Sequence, residues 1–214
     1  GICGAVVNYS TPIGTDNCAG STTLLTAGLA SGSVFPVGIT TVSYEVTDIA
    51  GNTANCSFTV TVNDTELPTI LCPTNIVVSN SLGTCGAVVN YTAPIGTDNC
   101  AGSTTVRTAG LASGSLFPVG LTTVSYEVTD AVGNTASCSF TVTVNDTELP
   151  TITCPTNIVV NNTPGTCGSV VNYAAPIGTD NCAGSTTVRT AGLASGSVFP
   201  IGITTVTYEV TDAV

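Results

Sequence analysis

The residues of this chain with the capacity for chemistry are ten cysteines and thirteen carboxylates. They lack the usual partners: the sequence holds no His, and its only cations are Arg107 and Arg189. A Ser-His-Asp triad, a Cys-His pair and a Schiff-base lysine are therefore unavailable. Paired carboxylates can hydrolyse glycosides on their own, but they need a cleft that raises one pKa. A sugar would also want an aromatic platform, and aromatics are 5% with no Trp. We expect no enzyme. Two arginines in a chain of net charge -11 cannot neutralise a phosphate track, so no nucleic-acid partner is expected. Both read as solvated face residues. Zinc fails for want of a CxxC or a His. What remains for the cysteines is disulfide formation in an oxidising, extracellular or cell-surface setting.

These residues recur with a period of 82. Cys3, Cys85 and Cys167 are equivalent, as are Cys18, Cys100 and Cys182, Cys56 and Cys138, and Cys72 and Cys154. The first two copies differ at about 14 of 82 positions. That period is too long for a solenoid turn and suits one small β-sandwich. Boundaries are expected at the Pro-bearing segments 63–68 and 145–150. They give a partial domain at 1–66 lacking its first strand, a complete one at 67–148, and a partial one at 149–214 lacking its last strand. The chain thus reads as a window on a longer run of repeats and not as an autonomous unit. Val124, Tyr126 and Val128 alternate with polar residues, as do Cys138, Phe140, Val142 and Val144, which is the period of a half-buried strand. Ile70 and Cys72 share a phase, Pro73 interrupts, and Ile76 and Val78 resume it. Further strands are expected at 87–92 and 103–108. Turns fall at Pro94-Ile-Gly, Ser113-Gly, Phe117-Pro-Val-Gly120 and Val132-Gly-Asn134. No segment has a helical period, and no apolar run approaches the 18 residues of a membrane span. The fold expected is all-β, tandem immunoglobulin-like sandwiches of about 82 residues strung like beads.

Four motifs carry a resemblance: Cys-Pro near the first strand, 117–126 (Phe-Pro-Val-Gly-Leu-Thr-Thr-Val-Ser-Tyr), Thr-Asp-x-x-Gly-Asn at 129–134, and Cys-Ser-Phe-Thr-Val at 138–142. Together they resemble the hyalin repeat, or HYR, domain over essentially the whole chain. The resemblance implies an immunoglobulin-like, extracellular, non-catalytic module used as spacer or adhesion unit. In such a sandwich the first and last strands run parallel, so inward Cys72 and Cys138 share a pole and are expected to pair. In the chain-entropy model that 66-residue loop contributes about 4 kcal/mol. The remaining cysteines are assigned within repeats, Cys85–Cys100, Cys3–Cys18 and Cys167–Cys182, with support from the resemblance, since HYR domains carry or lose this second pair together. Cys56 and Cys154 are left over. A rival scheme pairs Cys56–Cys72 and Cys138–Cys154 across linkers.

Every acid falls at one of five repeat positions. The loop 129–134 should approach the preceding linker, and Asp98 lies near the same pole. Asp64, Glu66, Asp98, Asp130 and Asn134 therefore converge at one junction, and Asp146, Glu148, Asp180 and Asp212 repeat the set. Hard oxygen donors without Lys or Arg suit Ca²⁺. Ordinary turn chemistry, with Asp and Asn bonding the backbone two residues on, explains the same residues. Both readings stand at this point. Asn63 and Asn145 fit Asn-x-Ser/Thr, and Thr65 and Thr147 follow Asp as in some bacterial O-glycosylation signals. The function expected is a structural segment, spacer, stalk or fibre building block, whose partners are copies of the same repeat. The alternative is an adhesive module for a glycan or surface.

Overall fold

The computed structural model describes residues 1–213; Val214, the last residue of the third expected domain, lies outside them. No helix is present among the described residues. The first repeat supplies β1 (Gly4–Val6), β2 (Thr22–Ala27), β3 (Val34–Pro36), β4 (Gly38–Thr47) and β5 (Thr53–Val62). The second supplies β6 (Ile76–Ser79), β7 (Gly86–Val89), β8 (Thr104–Ala109), β9 (Ser115–Pro118), β10 (Gly120–Thr129) and β11 (Thr135–Asn145). The third supplies β12 (Gly168–Val170), β13 (Thr186–Ala191), β14 (Val198–Pro200) and β15 (Thr207–Thr211).

The same pairings recur in each copy. β1 pairs with β3, β7 with β9 and β12 with β14, all antiparallel. The larger sheets have the orders β2-β4-β5 and β6-β11-β10-β8, and in the third copy β13 pairs with β15. β6 runs parallel to β11, from Val142 opposite Ile76 to Asn145 opposite Ser79. This is the relation between first and last strands that the sandwich reading requires.

The chain forms two compact units. One comprises 1–72, 94–108 and 125–138; the other comprises 73–93, 109–124 and 139 onward. In the first, Phe35 and Val42 are fully buried beside Tyr44 and Val62, with Tyr9 and Phe58 packed against them. Tyr9 and Phe58 meet edge to face at 5.0 Å. In the second, Ala87, Val89, Phe117, Val124, Phe140, Val142 and Val144 are buried, and Tyr91 meets Phe140 at the same 5.0 Å.

The alternation in β10 and β11 buries the residues the pattern selects: Val124, Tyr126 and Val128, then Phe140, Val142 and Val144. The turn expected at 117–120 departs from expectation, since its first two residues belong to a strand. Residues 115–118 form β9, because Phe117 anchors them in the core and Pro118, which has no N–H to give, ends the strand at a short paired edge. Gly86 permits that pairing, since a Cβ there would collide with the Phe117 carbonyl. β7 correspondingly stops at Val89, short of the expected Thr92.

Candidate inter-repeat junction

The chain passes from one repeat to the next through 63–68 and again through 145–150. Beyond the first passage, Thr69 and Thr97 exchange two backbone hydrogen bonds of 2.8 Å. That bridge holds the loop Asp98-Asn99-Cys100 beside the linker. Inside the loop the Cys100 N–H donates to Asp98 Oδ2 at 2.9 Å, an Asx turn. Thr151 and Thr179 form the same bridge, and Cys182 N–H donates to Asp180 Oδ2 at 2.9 Å.

The preceding repeat reaches this loop with the turn that carries its own first cysteine. Asn99 Nδ2 donates to the Ile2 carbonyl at 3.3 Å, and Asn181 Nδ2 donates to the equivalent Thr84 carbonyl at 3.2 Å. Cys3 is bonded to Cys100, and Cys85 to Cys182, each 97 residues apart. Cys72 is bonded to Cys138. The expected pairs Cys3–Cys18, Cys85–Cys100 and Cys167–Cys182 are thus corrected. Cys85 enters β7 at once, and by Cys100 the chain has passed into the other compact unit, where Cys3 lies. Cys18, Cys56, Cys154 and Cys167 are unpaired and exposed. The rival pairs Cys56–Cys72 and Cys138–Cys154 are absent, since Cys72 and Cys138 hold each other.

The expected acids divide into three groups. Asp64 and Asp98 lie together with the Cys100 sulfur, and Asp146 and Asp180 with the Cys182 sulfur, candidate donor atoms being within 4.8 Å of one another. Each sulfur is in a disulfide and offers no thiolate, so only oxygen donors remain. Asp98 Oδ1, Asn99 Oδ1, Asp180 Oδ1 and Asn181 Oδ1 are buried and accept no hydrogen bond. Buried oxygens without a partner cost free energy, and a hard cation would satisfy them, so this donor set fits Ca²⁺.

Asp130 belongs to the second group and serves its own loop. Its Oδ1 accepts the N–H groups of Val132, Gly133 and Asn134 at 2.7–2.9 Å, and its Oδ2 accepts Asn134 Nδ2 at 2.7 Å. Gly133 takes a φ of +100° there, which a Cβ would strain. Burial works against the charge of Asp130, but Asn134 and the backbone donors prevail and hold its carboxyl below the ordinary range. Asp48 repeats the motif, its pKa lowered chiefly by Asn52. Asn134 Nδ2 also reaches the Asp64 and Glu66 carbonyls at 3.4 and 3.3 Å, so loop 129–134 does meet the preceding linker. Its contribution is an amide, while the Asp130 carboxylate stays within the loop. Asp212 accepts the Ala213 N–H.

The third group is the linker glutamates. Glu148 Oε2 accepts the Gly83 N–H at 2.7 Å, and Glu66 faces the equivalent N-terminal amine of Gly1 at 3.6 Å. Asn63, Thr65, Asn145 and Thr147 are exposed, and Thr147 is bonded through its N–H and hydroxyl to Asn80 Oδ1. Asn99, Asn181 and the carbonyls of Ile2 and Thr84 are not singled out by any pattern of charge or spacing in the sequence. The one available signal was the invariance of Thr-Asp-Asn-Cys among the three copies, and near-identical copies hide such signals.

The HYR domain model matches residues 1–62, 63–144 and 145–214. The chain belongs to the HYR domain family. Hyalin of Strongylocentrotus purpuratus is 41% identical over 99% of this chain and 18% of its own length. Hyalin of Lytechinus variegatus is 37% identical over 99% of this chain and 41% of its length. The HYR chain therefore spans less than half of the hyalins it matches. It is also 32% identical, over 72% of its residues, to 4% of the rat sushi, von Willebrand factor type A, EGF and pentraxin domain-containing protein 1. Among solved structures, protocadherin gamma B2 extracellular cadherin domains 1–5 match at 13% identity and a TM-score of 0.36, over 84% of this chain and 46% of that one.

Proposed function

We propose that this HYR chain is a structural segment of an extracellular repeat protein, a spacer or fibre building block whose consecutive repeats are clasped to each other. The observation that supports this reading is the repetition of one junction, with the same disulfide spacing, the same Asn-to-carbonyl bond and the same Thr–Thr bridge. A spacer gains length from identical units and must carry tension between them. An adhesive module would instead present a variable or aromatic ligand site. The copies differ mostly by conservative exchanges such as Val34/Leu116 and Ile39/Leu121, with Leu25 against Arg107 the outlier.

The clasps make a mechanical prediction. Under tension the oxidised chain has a shortest covalent path through Cys3–Cys100 and Cys85–Cys182 that leaves about 50 residues free to extend. At roughly 3.5 Å per residue that is about 170 Å, against about 750 Å for the reduced chain. Single-molecule extension with and without reductant reads both lengths. An oxidised length near 400 Å, which cross-links confined to single repeats would give, contradicts the clasp.

The unpartnered oxygens favour a further element of this reading. Asp64, Asp98 and Asn99 at one junction, and Asp146, Asp180 and Asn181 at the other, would hold Ca²⁺, whose charge would offset the paired carboxylates. Chelated protein titrated with calcium should show a rising Tm that saturates. Asp98→Asn with Asp180→Asn should abolish the rise. A Tm unmoved at millimolar calcium leaves these residues to turn chemistry alone.

A further inference from the structure

Each copy carries an asparagine at the same place on its smaller sheet. Asn8, Asn90 and Asn172 lie just beyond β1, β7 and β12 and are exposed. In the complete repeat the Tyr91 N–H donates to Ser113 Oγ at 2.8 Å, and the Gly114 N–H donates to the Val89 carbonyl at 2.8 Å, so the backbone on either side of Asn90 is held. Gly114 stands opposite. Apart from its chain neighbours, a Cβ there would meet only Asn90 Oδ1, at 3.5 Å. Gly32 and Gly196 stand in the same relation to Asn8 and Asn172.

Strand alternation puts Asn90 on the outward face, in line with Val88. Val88 is the cross-strand partner of Leu116, and the two are 58% and 52% exposed. Val6 with Val34 and Val170 with Val198 repeat this open apolar pair. Asn80 and Asn134 donate their amides to backbone carbonyls, whereas among the described residues no hydrogen bond engages the side chains of Asn8 and Asn90. The copies part at one position. Asn8-Tyr-Ser10 and Asn90-Tyr-Thr92 have an exposed hydroxyl residue two places on, and Asn172-Tyr-Ala174 has none. That hydroxyl is what oligosaccharyl transfer to asparagine requires.

We propose that Asn8 and Asn90 are N-glycosylation sites, and that the innermost N-acetylhexosamine lies over the apolar pair beside each. The donor is an oligosaccharide carried on a polyisoprenyl diphosphate, met on a secretory route. The asparagine Nδ2 bonds to the anomeric carbon, the bond from that carbon to the diphosphate oxygen breaks, and the amide proton ends on the released diphosphate. The asparagine gives up no hydrogen bond. The C–H face of the sugar removes Val88 and Leu116 from water, and the glycine opposite leaves room for it.

The test uses the 214-residue chain secreted from an animal cell line, with glycans released enzymatically in H₂¹⁸O so that mass spectrometry marks each occupied asparagine. The expected result is glycan on Asn8 and Asn90 and none on Asn172. Thr92→Ala should empty Asn90, and Ala174→Thr should fill Asn172. Thermal melts test the contact. Trimming to the innermost sugar should leave the Tm unchanged, and the secreted parent should melt about 2–5 °C above secreted Thr92→Ala. That gap should vanish when both are made in a bacterial periplasm lacking the transferase, and when Val88→Thr and Leu116→Thr are added to both. Secreted protein with Asn8 and Asn90 bare overturns the sites. A gap that survives loss of the apolar pair overturns the contact. Neither result alters the extension lengths expected of the clasped chain, so the spacer reading is tested separately.

Discussion

Asp130 illustrates how one residue serves position and not ligation. Four donors converge on its carboxylate, and Asn134, which supplies two of them, turns its amide on to the carbonyls of the preceding linker. Because the folded pKa lies below the ordinary 3.8, the carboxylate contributes stability that is present above that value and lost as pH falls through the folded pKa. Asp48 adds the same acid-side loss in the first repeat. Asp130→Asn should therefore lower the Tm at pH 6, with the gap to the parent narrowing steadily towards pH 2. Thermal melts across that range check it, and a gap constant with pH contradicts the charge-based account. Tyr9 is a second perturbed group. Burial and the 3.0 Å hydrogen bond with Tyr44 push its hydroxyl up to about 12, so its contribution is lost only as pH rises from about 10 through about 12.

At the scale of the element, strand alternation decides which side chains matter. Phe117 is fully buried in β9 while its neighbour Leu116 is 52% exposed. Phe117→Ala should cost about 3–5 kcal/mol and Leu116→Ala within about 0.5 kcal/mol, measured by urea unfolding. Equal losses would show that β9 does not alternate as described. The strands legible in the sequence were β10 and β11, from their long period-two pattern, together with β6, β7 and β8, expected at Ile76 and Val78, at 87–92 and at 103–108. β9 was not, because Pro118 and the following Gly120 look like a turn and only Phe117 reports the core. The parallel partnership of β6 with β11 followed from the sandwich topology, and it brings Cys72 to Cys138. The other cysteines could not be resolved this way. Cys3 and Cys85 occupy the same place in the repeat, so sequence alone cannot tell whether Cys100 pairs within its repeat or with the one before. The decision lies in the path of β7, which leads away from Cys85, and in the Thr69–Thr97 bridge, which no local pattern announces.

Over the whole molecule the recurrence of surface is as informative as that of the core. Ile13, Ile95 and Ile177 are each more than four-fifths exposed, and Ile39, Leu121 and Ile203 are also open. Every copy thus offers the same apolar side chains to its surroundings. The clasp between consecutive repeats is open to non-reducing proteolysis with mass spectrometry of the linked peptides. Cys3 should be found joined to Cys100, Cys85 to Cys182 and Cys72 to Cys138. Peptides joining Cys3 to Cys18 and Cys85 to Cys100 would contradict the clasp.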